Sequence, residues 1–107
     1  MTTTFSGPVL VTGATGTVGR HVVSELGRRG IAVRALVRDP VRAGYTPAEG
    51  VSLAVGDFAD PDSLRAAVHG VEHVYLSCGN HPAQTEWETS LIKAAAAAGV
   101  RRIVTLS

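Results

Sequence analysis

The sequence predicts an α/β fold: a doubly wound parallel sheet of five strands in the order 3-2-1-4-5, with helices on both faces. Three observations lead to it. Short β-rich apolar runs alternate with segments of helical period along the 107 residues, a pattern that makes parallel strands joined by helical crossovers. The first run passes directly into a glycine cluster and then a helix-period segment, which is how a βαβ unit opens. Glycines at 30, 70 and 99 then stand where each helical segment gives way to the next run.

Each element can be justified in turn. Pro8-Val9-Leu10-Val11-Thr12 reads as the first strand. From Thr17 to about Arg29 the period becomes helical, with Val18, Val22 and Leu26 at i, i+4 and i+8. Ile31 to Arg38 is the second strand, apolar except for Arg34 and its final Arg. Asp39 to Gly50 holds two prolines and two glycines, so it is a loop or at most one helical turn. Val51 to Val55 is the third strand, closed by Gly56-Asp57.

Asp60-Pro61-Asp62-Ser63-Leu64 starts a helix, since Asp60 can cap and Pro61 suits the first helical position. Leu64, Ala67 and Val68 are its apolar face. His73 to Ser77 is the fourth strand. Asn80-His81-Pro82 breaks the chain before a long helix to Ala98, with Thr85 and Glu88 spaced as a capping box. Trp87, Leu91 and Ala95 make a stripe at i, i+4 and i+8, and Arg102 to Leu106 is the fifth strand. With no internal repeat, linker or composition break, residues 1–107 are expected to be one domain.

Composition narrows the function classes. Hydrophobic residues make up 45% and charged ones 18%, enough apolar material for a core. Ten Lys+Arg against nine Asp+Glu leave a formal charge of +1, which excludes a broad basic face for nucleic acid. The apolar runs are far shorter than the ~20 residues of a membrane span, and no signal peptide is visible. Cys78 is the single cysteine, so no intrachain disulfide can form. A soluble, cytoplasmic protein is expected.

The chemistry sits in Thr12-Gly13-Ala14-Thr15-Gly16-Thr17-Val18-Gly19, between the first strand and the first helix. Gly13 permits the sharp exit from the strand, Gly16 removes a Cβ where a pyrophosphate approaches, and Gly19 lets the helix pack closely against the sheet. The helix start then offers free N–H groups to an anion. The predicted ligand is a dinucleotide, and the fold is Rossmann-like.

The spacing Gly-x-x-Gly-x-x-Gly resembles that of the extended and atypical short-chain dehydrogenase/reductases, most of all their NmrA-like branch. Three further segments carry the same resemblance: Val33 to Pro40, Gly56-Asp57-Phe58-Ala59-Asp60, and Ala96 to Val104. Together they span nearly the whole chain. An NAD-binding domain usually ends its second strand in an acid that takes the ribose hydroxyls, and here that place falls at Val37. Arg38 follows, able to fork onto a 2′-phosphate, so NADP(H) is favoured over NAD(H). Asp39, one residue on, argues the other way, and a surface ion pair is the alternative role for Arg38. Arg34 is a second phosphate candidate.

The resemblance also implies that Asp57 contacts the adenine amino group, with Phe58 near the ring; a turn or cap carboxylate is the alternative for Asp57. Ser77, Cys78 and Gly79 end the fourth strand beside the crevice where dinucleotides cross, with Gly79 placed for close approach to the nicotinamide-side ribose. Cys78 is read as a small buried residue, and His81 as a loop histidine. His21, His69 and His73 lack metal-ligand spacing.

The Tyr-x-x-x-Lys pair of many such reductases is absent: four residues after Tyr45 stands Glu49, and after Tyr75 stands Gly79. Relatives in the resembled family continue well past the position of Ser107, so the chain reads as the N-terminal portion of such a protein. An exposed fifth-strand edge is then expected to drive self-association. The implied function is hydride transfer to a small carbonyl or quinone-like acceptor. A non-catalytic NAD(P)-sensing regulator and an NAD-dependent NDP-sugar epimerase are the alternatives.

Overall fold

In the computed structural model, which describes residues 8–14, 17–44, 50–76 and 84–105, the elements run in the expected order. They are β1 (Val9–Val11), α1 (Thr17–Arg28), β2 (Val33–Val37), α2 (Pro40–Ala43), β3 (Val51–Val55), α3 (Pro61–Val68), β4 (His73–Leu76), α4 (Gln84–Ala97) and β5 (Arg102–Thr105). The strands pair in parallel in the order β3-β2-β1-β4-β5. Strand order therefore reverses beside β1, and the carboxyl ends of β1 and β4 flank the switch point.

Strand alternation divides the core in two. Leu10, Leu36, Val74 and Leu76 point to one face and bury Leu64, Ala67 and Val68 of α3 together with Leu91 and Ala95 of α4. Val9, Val11, Val33, Ala35 and Val37 point the other way and pack with Val23 of α1. Helices thus cover both faces. The register agrees, pairing Leu10 with Arg34 and Val11 with Ala35.

Two expected details change. The buried residue of α1 is Val23, while Val22 and Leu26 are only partly buried against it. Gly19 is pressed against the turn after β1, and Val22 and Val23, both about one turn on, share the inward side, with Val23 the more deeply buried. Thr85 is not a cap: α4 already begins at Gln84, so Thr85 lies inside its first turn, where its carbonyl accepts from the Thr89 hydroxyl at 2.8 Å.

Asp39 to Gly50 contains the single turn α2, capped by Asp39, whose carboxylate accepts from Arg42 N–H at 3.1 Å. Four residues of helix shield little of the neighbouring edge strand, and Val55 of β3 remains 60% exposed. β5 forms the opposite edge, where Val104 is 50% exposed. No helix among the described residues is long and apolar enough to cross a membrane.

Arg34 is corrected by strand parity. It points to the α3 face, where its guanidinium donates to Ala67 O at 2.7 Å and His69 O at 2.8 Å. It closes the C-terminal end of α3, satisfying carbonyls that a helix leaves open, and is not placed to take a phosphate. Arg34→Met keeps the length of the side chain and removes its donors. Urea unfolding is expected to show a loss of about 1–3 kcal/mol, the cost of leaving such groups unsatisfied.

Candidate functional site

The turn after β1 is built by two glycines with different tasks. Gly13 has φ 65°, left-handed backbone that an L side chain rarely adopts, and it turns the chain out of the sheet. Gly19 is buried, and a Cβ on it would lie 2.0 Å from Gly13 O and 2.7 Å from Gly13 C. The helix start and the turn therefore interlock backbone to backbone. This refines the expectation for Gly19: its close neighbour is the turn itself and not the sheet. Ala14 is buried beneath. Thr15 and Gly16, with the side chains of Thr17 and Val18, lie outside the described residues.

A groove of about 590 Å³ opens beside this turn, at the carboxyl ends of β1, β2 and β3. Ligand pockets run roughly 300–1,000 Å³. Gly13, Val37, Arg38, Asp57 and Phe58, five positions singled out by sequence, all line it. Val37 closes β2 with a buried apolar side chain, so no carboxylate stands at the end of that strand.

Arg38 is exposed and forms no ion pair among the described residues. Asp39, its expected competitor, instead directs its carboxylate to the backbone of α2. That cap winds α2 so that Arg42, one turn beyond Arg38, also lines the groove. Arg42 escaped the sequence reading. The signal was present, because Asp39-Pro40 repeats the cap-and-proline start seen at Asp60-Pro61.

On the other wall, Asp57 leads the link from β3 to α3. Its Oδ1 accepts from Ala59 N–H at 2.9 Å, and Asp60 N–H donates to Asp57 O at 2.9 Å, closing a turn. The turn role of Asp57 is thus present in the same residue that faces the groove. Phe58 stacks on Trp87 of α4, with ring centroids 5.5 Å apart and planes at 15°. Of the stripe at 87, 91 and 95, Leu91 and Ala95 are core, while Trp87 is half-buried and forms the groove's aromatic end. Its place in the first turn of α4, after β4, brings it to the carboxyl edge of the sheet.

Ser77, Cys78, Gly79, Asn80 and His81 fall outside the described residues. Among the described residues no group of three or more His, Cys, Asp or Glu side chains comes together as a metal site.

A family model described as NAD(P)H-binding matches residues 13–107. The chain belongs to this family. It is 41% identical over 96 residues to NAD(P)H azoreductase of Xenophilus azovorans, covering 90% of the chain and 34% of that protein. It is 33% identical over 104 residues to photosystem II assembly factor Ycf39 of Trieres chinensis, covering 90% of the chain and 33% of that protein. The crystal structure of an Escherichia coli NADPH-dependent quinone oxidoreductase complexed with NADPH superposes with a TM-score of 0.78 at 33% identity, covering 91% of this chain and 35% of that one. The chain spans about a third of the length of the curated relatives it matches. The matched residues include Gly13 and Gly19, strands β2 to β5 and the residues that line the groove.

Proposed function

We propose that residues 1–107 form the NADP(H)-binding domain of an NmrA-like reductase. One observation carries the preference for NADP(H). The strand end that holds an acid in NAD-binding domains is apolar Val37, and two arginines, Arg38 and Arg42, line the groove next to it. The residues fit the adenosine half of a dinucleotide. Gly13, Ala14, Thr15, Gly16, Thr17, Val18 and Gly19 are assigned to the pyrophosphate, whose charge suits the N-terminal N–H groups of α1. Arg38 and Arg42 take the 2′-phosphate, and the Asp57 carboxylate accepts from the adenine amino group beside Phe58 and Trp87. Ser77, Cys78 and Gly79 are assigned to the nicotinamide-side ribose.

When bound, the nicotinamide supplies a hydride, and the proposed acceptor is a small carbonyl or quinone-like molecule. The azoreductase and the quinone oxidoreductase among the similar proteins support that acceptor class. Calorimetric titration of the chain with NADPH and NADH tests the reading. Tighter binding of NADPH is expected; a folded sample that binds neither nucleotide overturns it. A second reading, a non-catalytic binder of the same dinucleotide, is favoured by the likeness to the assembly factor. Turnover of an azo or quinone acceptor by a longer chain, lost with Arg38 and Arg42, separates the two.

A cytoplasmic location and self-association belong to the same proposal. The β5 edge with exposed Val104 supports the latter, and a clean monomer in sedimentation at tens of micromolar would remove it.

A further inference from the structure

We propose that Ser63 is the positioning residue of the base-recognition loop: its hydroxyl holds the Asp57 peptide in the setting from which the Asp57 carboxylate selects an adenine amino group. The inference rests on the dinucleotide reading above and adds to it a residue that lies on α3, behind the groove wall.

Gly56, Asp57, Phe58, Ala59 and Asp60 join β3 to α3, and most of the bonds that shape this link are made within it or at the helix cap. Asp60 N–H donates to Asp57 O, Ala59 N–H to Asp57 Oδ1, and Asp62 N–H to Asp60 Oδ1. Those bonds set the shape of the turn, while Gly56 N–H, donating to Val37 O at 3.2 Å, and Phe58, stacked on Trp87, tie it to the sheet and to α4. Ser63 ties it to α3. Its Oγ accepts from Asp57 N–H at 3.0 Å and lies 2.7 Å from Asp60 O and 3.1 Å from Asp57 O. One hydroxyl proton serves one carbonyl at a time, and the shorter contact assigns it to Asp60 O. The hydroxyl therefore accepts from one end of the turn and donates to the other. A hydroxyl does both from a single atom.

The support beneath Ser63 is rigid. Leu64, Ala67 and Val68 are buried to within 3% exposure, and Arg34 ties the far end of α3 to β2. Nor is there slack above it. A Cβ at Gly56 would lie 3.4 Å from Ser63 Oγ and 2.7 Å from Leu36 Cδ1, so the chain enters the link in close contact with both. Sheet, α3, Ser63 and Asp57 form one continuous line of contacts that ends at the groove.

Base selection follows from donor and acceptor chemistry. Adenine presents an amino donor at C6, and hypoxanthine presents a carbonyl acceptor there. A carboxylate held in register attracts the first and repels the second, whereas one free to swing away distinguishes them poorly.

The test measures affinity for NADPH and for its hypoxanthine counterpart in the wild-type chain, Ser63→Ala and Ser63→Thr. The wild type is expected to prefer adenine by roughly 10-fold or more, the worth of one charge-assisted hydrogen bond. In Ser63→Ala the preference should fall to within about threefold, and Ser63→Thr, which can still bond the i−3 carbonyl, should restore it. The NADPH-to-NADH ratio should stay unchanged in both variants, because the arginines that face the 2′-phosphate are untouched. If Ser63→Ala loses its helical circular dichroism, Ser63→Cys, with a weaker hydrogen-bonding thiol in the same shape, replaces it in the comparison. A wild-type preference that persists undiminished in the folded variant, or a loss of both affinities by the same factor, overturns the role of Ser63 and leaves the dinucleotide reading intact. A wild-type chain that binds NADPH without distinguishing the bases overturns the adenine contact of Asp57, and the role of Ser63 with it. Absence of NADPH binding by the folded wild type overturns the dinucleotide reading itself.

Discussion

Gly19→Ala is expected to abolish dinucleotide binding and to cost about 3 kcal/mol of stability, the upper part of the range for overpacking. The added methyl would sit 2.0 Å from Gly13 O, 2.7 Å from Gly13 C and 3.0 Å from Ala14 Cα. All three are backbone atoms, so no rotamer change relieves the clash, and the helix start must move away from the turn. That movement opens the two elements whose N–H groups are assigned to the pyrophosphate. Gly56→Ala is the informative comparison. Its closest neighbour, at 2.7 Å, is Leu36 Cδ1, the end of a flexible side chain that can turn aside, so the loss should be smaller. Urea unfolding of both variants, with NADPH titration of each folded sample, checks the pair. Equal stability of Gly19→Ala and the wild type would show that the turn is not packed as described.

Arg38→Ala should weaken NADPH by roughly 10–100-fold, the range of a charge-assisted hydrogen bond, and leave NADH within about twofold. Arg42 shares the groove, so the double variant Arg38→Ala/Arg42→Ala should bind the two nucleotides about equally. Both guanidinium-bearing residues are exposed, and their attraction for a 2′-phosphate is screened by salt. NADPH affinity of the wild type should therefore fall with ionic strength more steeply than NADH affinity, and the two slopes should converge in the double variant. Calorimetry at two salt concentrations measures this. An unchanged NADPH-to-NADH ratio in the double variant would remove the assignment of the 2′-phosphate to these arginines.

Features governed by local spacing were legible in the sequence. The glycine turn appeared between strand and helix, Asp60-Pro61 opened α3, and Leu64, Ala67 and Val68 were buried as their period implied. Arg38 stands at the end of β2 and Asp57 after β3 for the same reason: parallel strands bring their carboxyl ends to one edge of the sheet. Errors arose where a residue's surroundings depended on the rotation of a helix or on which element lies across a strand. Val22 and Val23 are adjacent, and Val23 is buried while Val22 packs, partly buried, against the same core. Arg34 looked available for an anion because the carbonyls of Ala67 and His69, more than thirty residues away, are not visible from β2. Trp87 keeps helical spacing with Leu91 yet stands half-buried at the groove, where it stacks on Phe58 of the β3–α3 link.

By itself, then, the sequence determined the fold class, the order of the elements and the turn that a dinucleotide requires. Those depend on hydrophobic period, on helix caps and on the few residues that can turn a chain sharply. Tertiary structure alone decided the company each side chain keeps: Arg42 in one groove with Arg38, Trp87 against Phe58, Ser63 beneath Asp57 and Arg34 at the end of α3. These pairings are settled by register, crossover and helix rotation, quantities that belong to the packed molecule and to no single stretch of its chain.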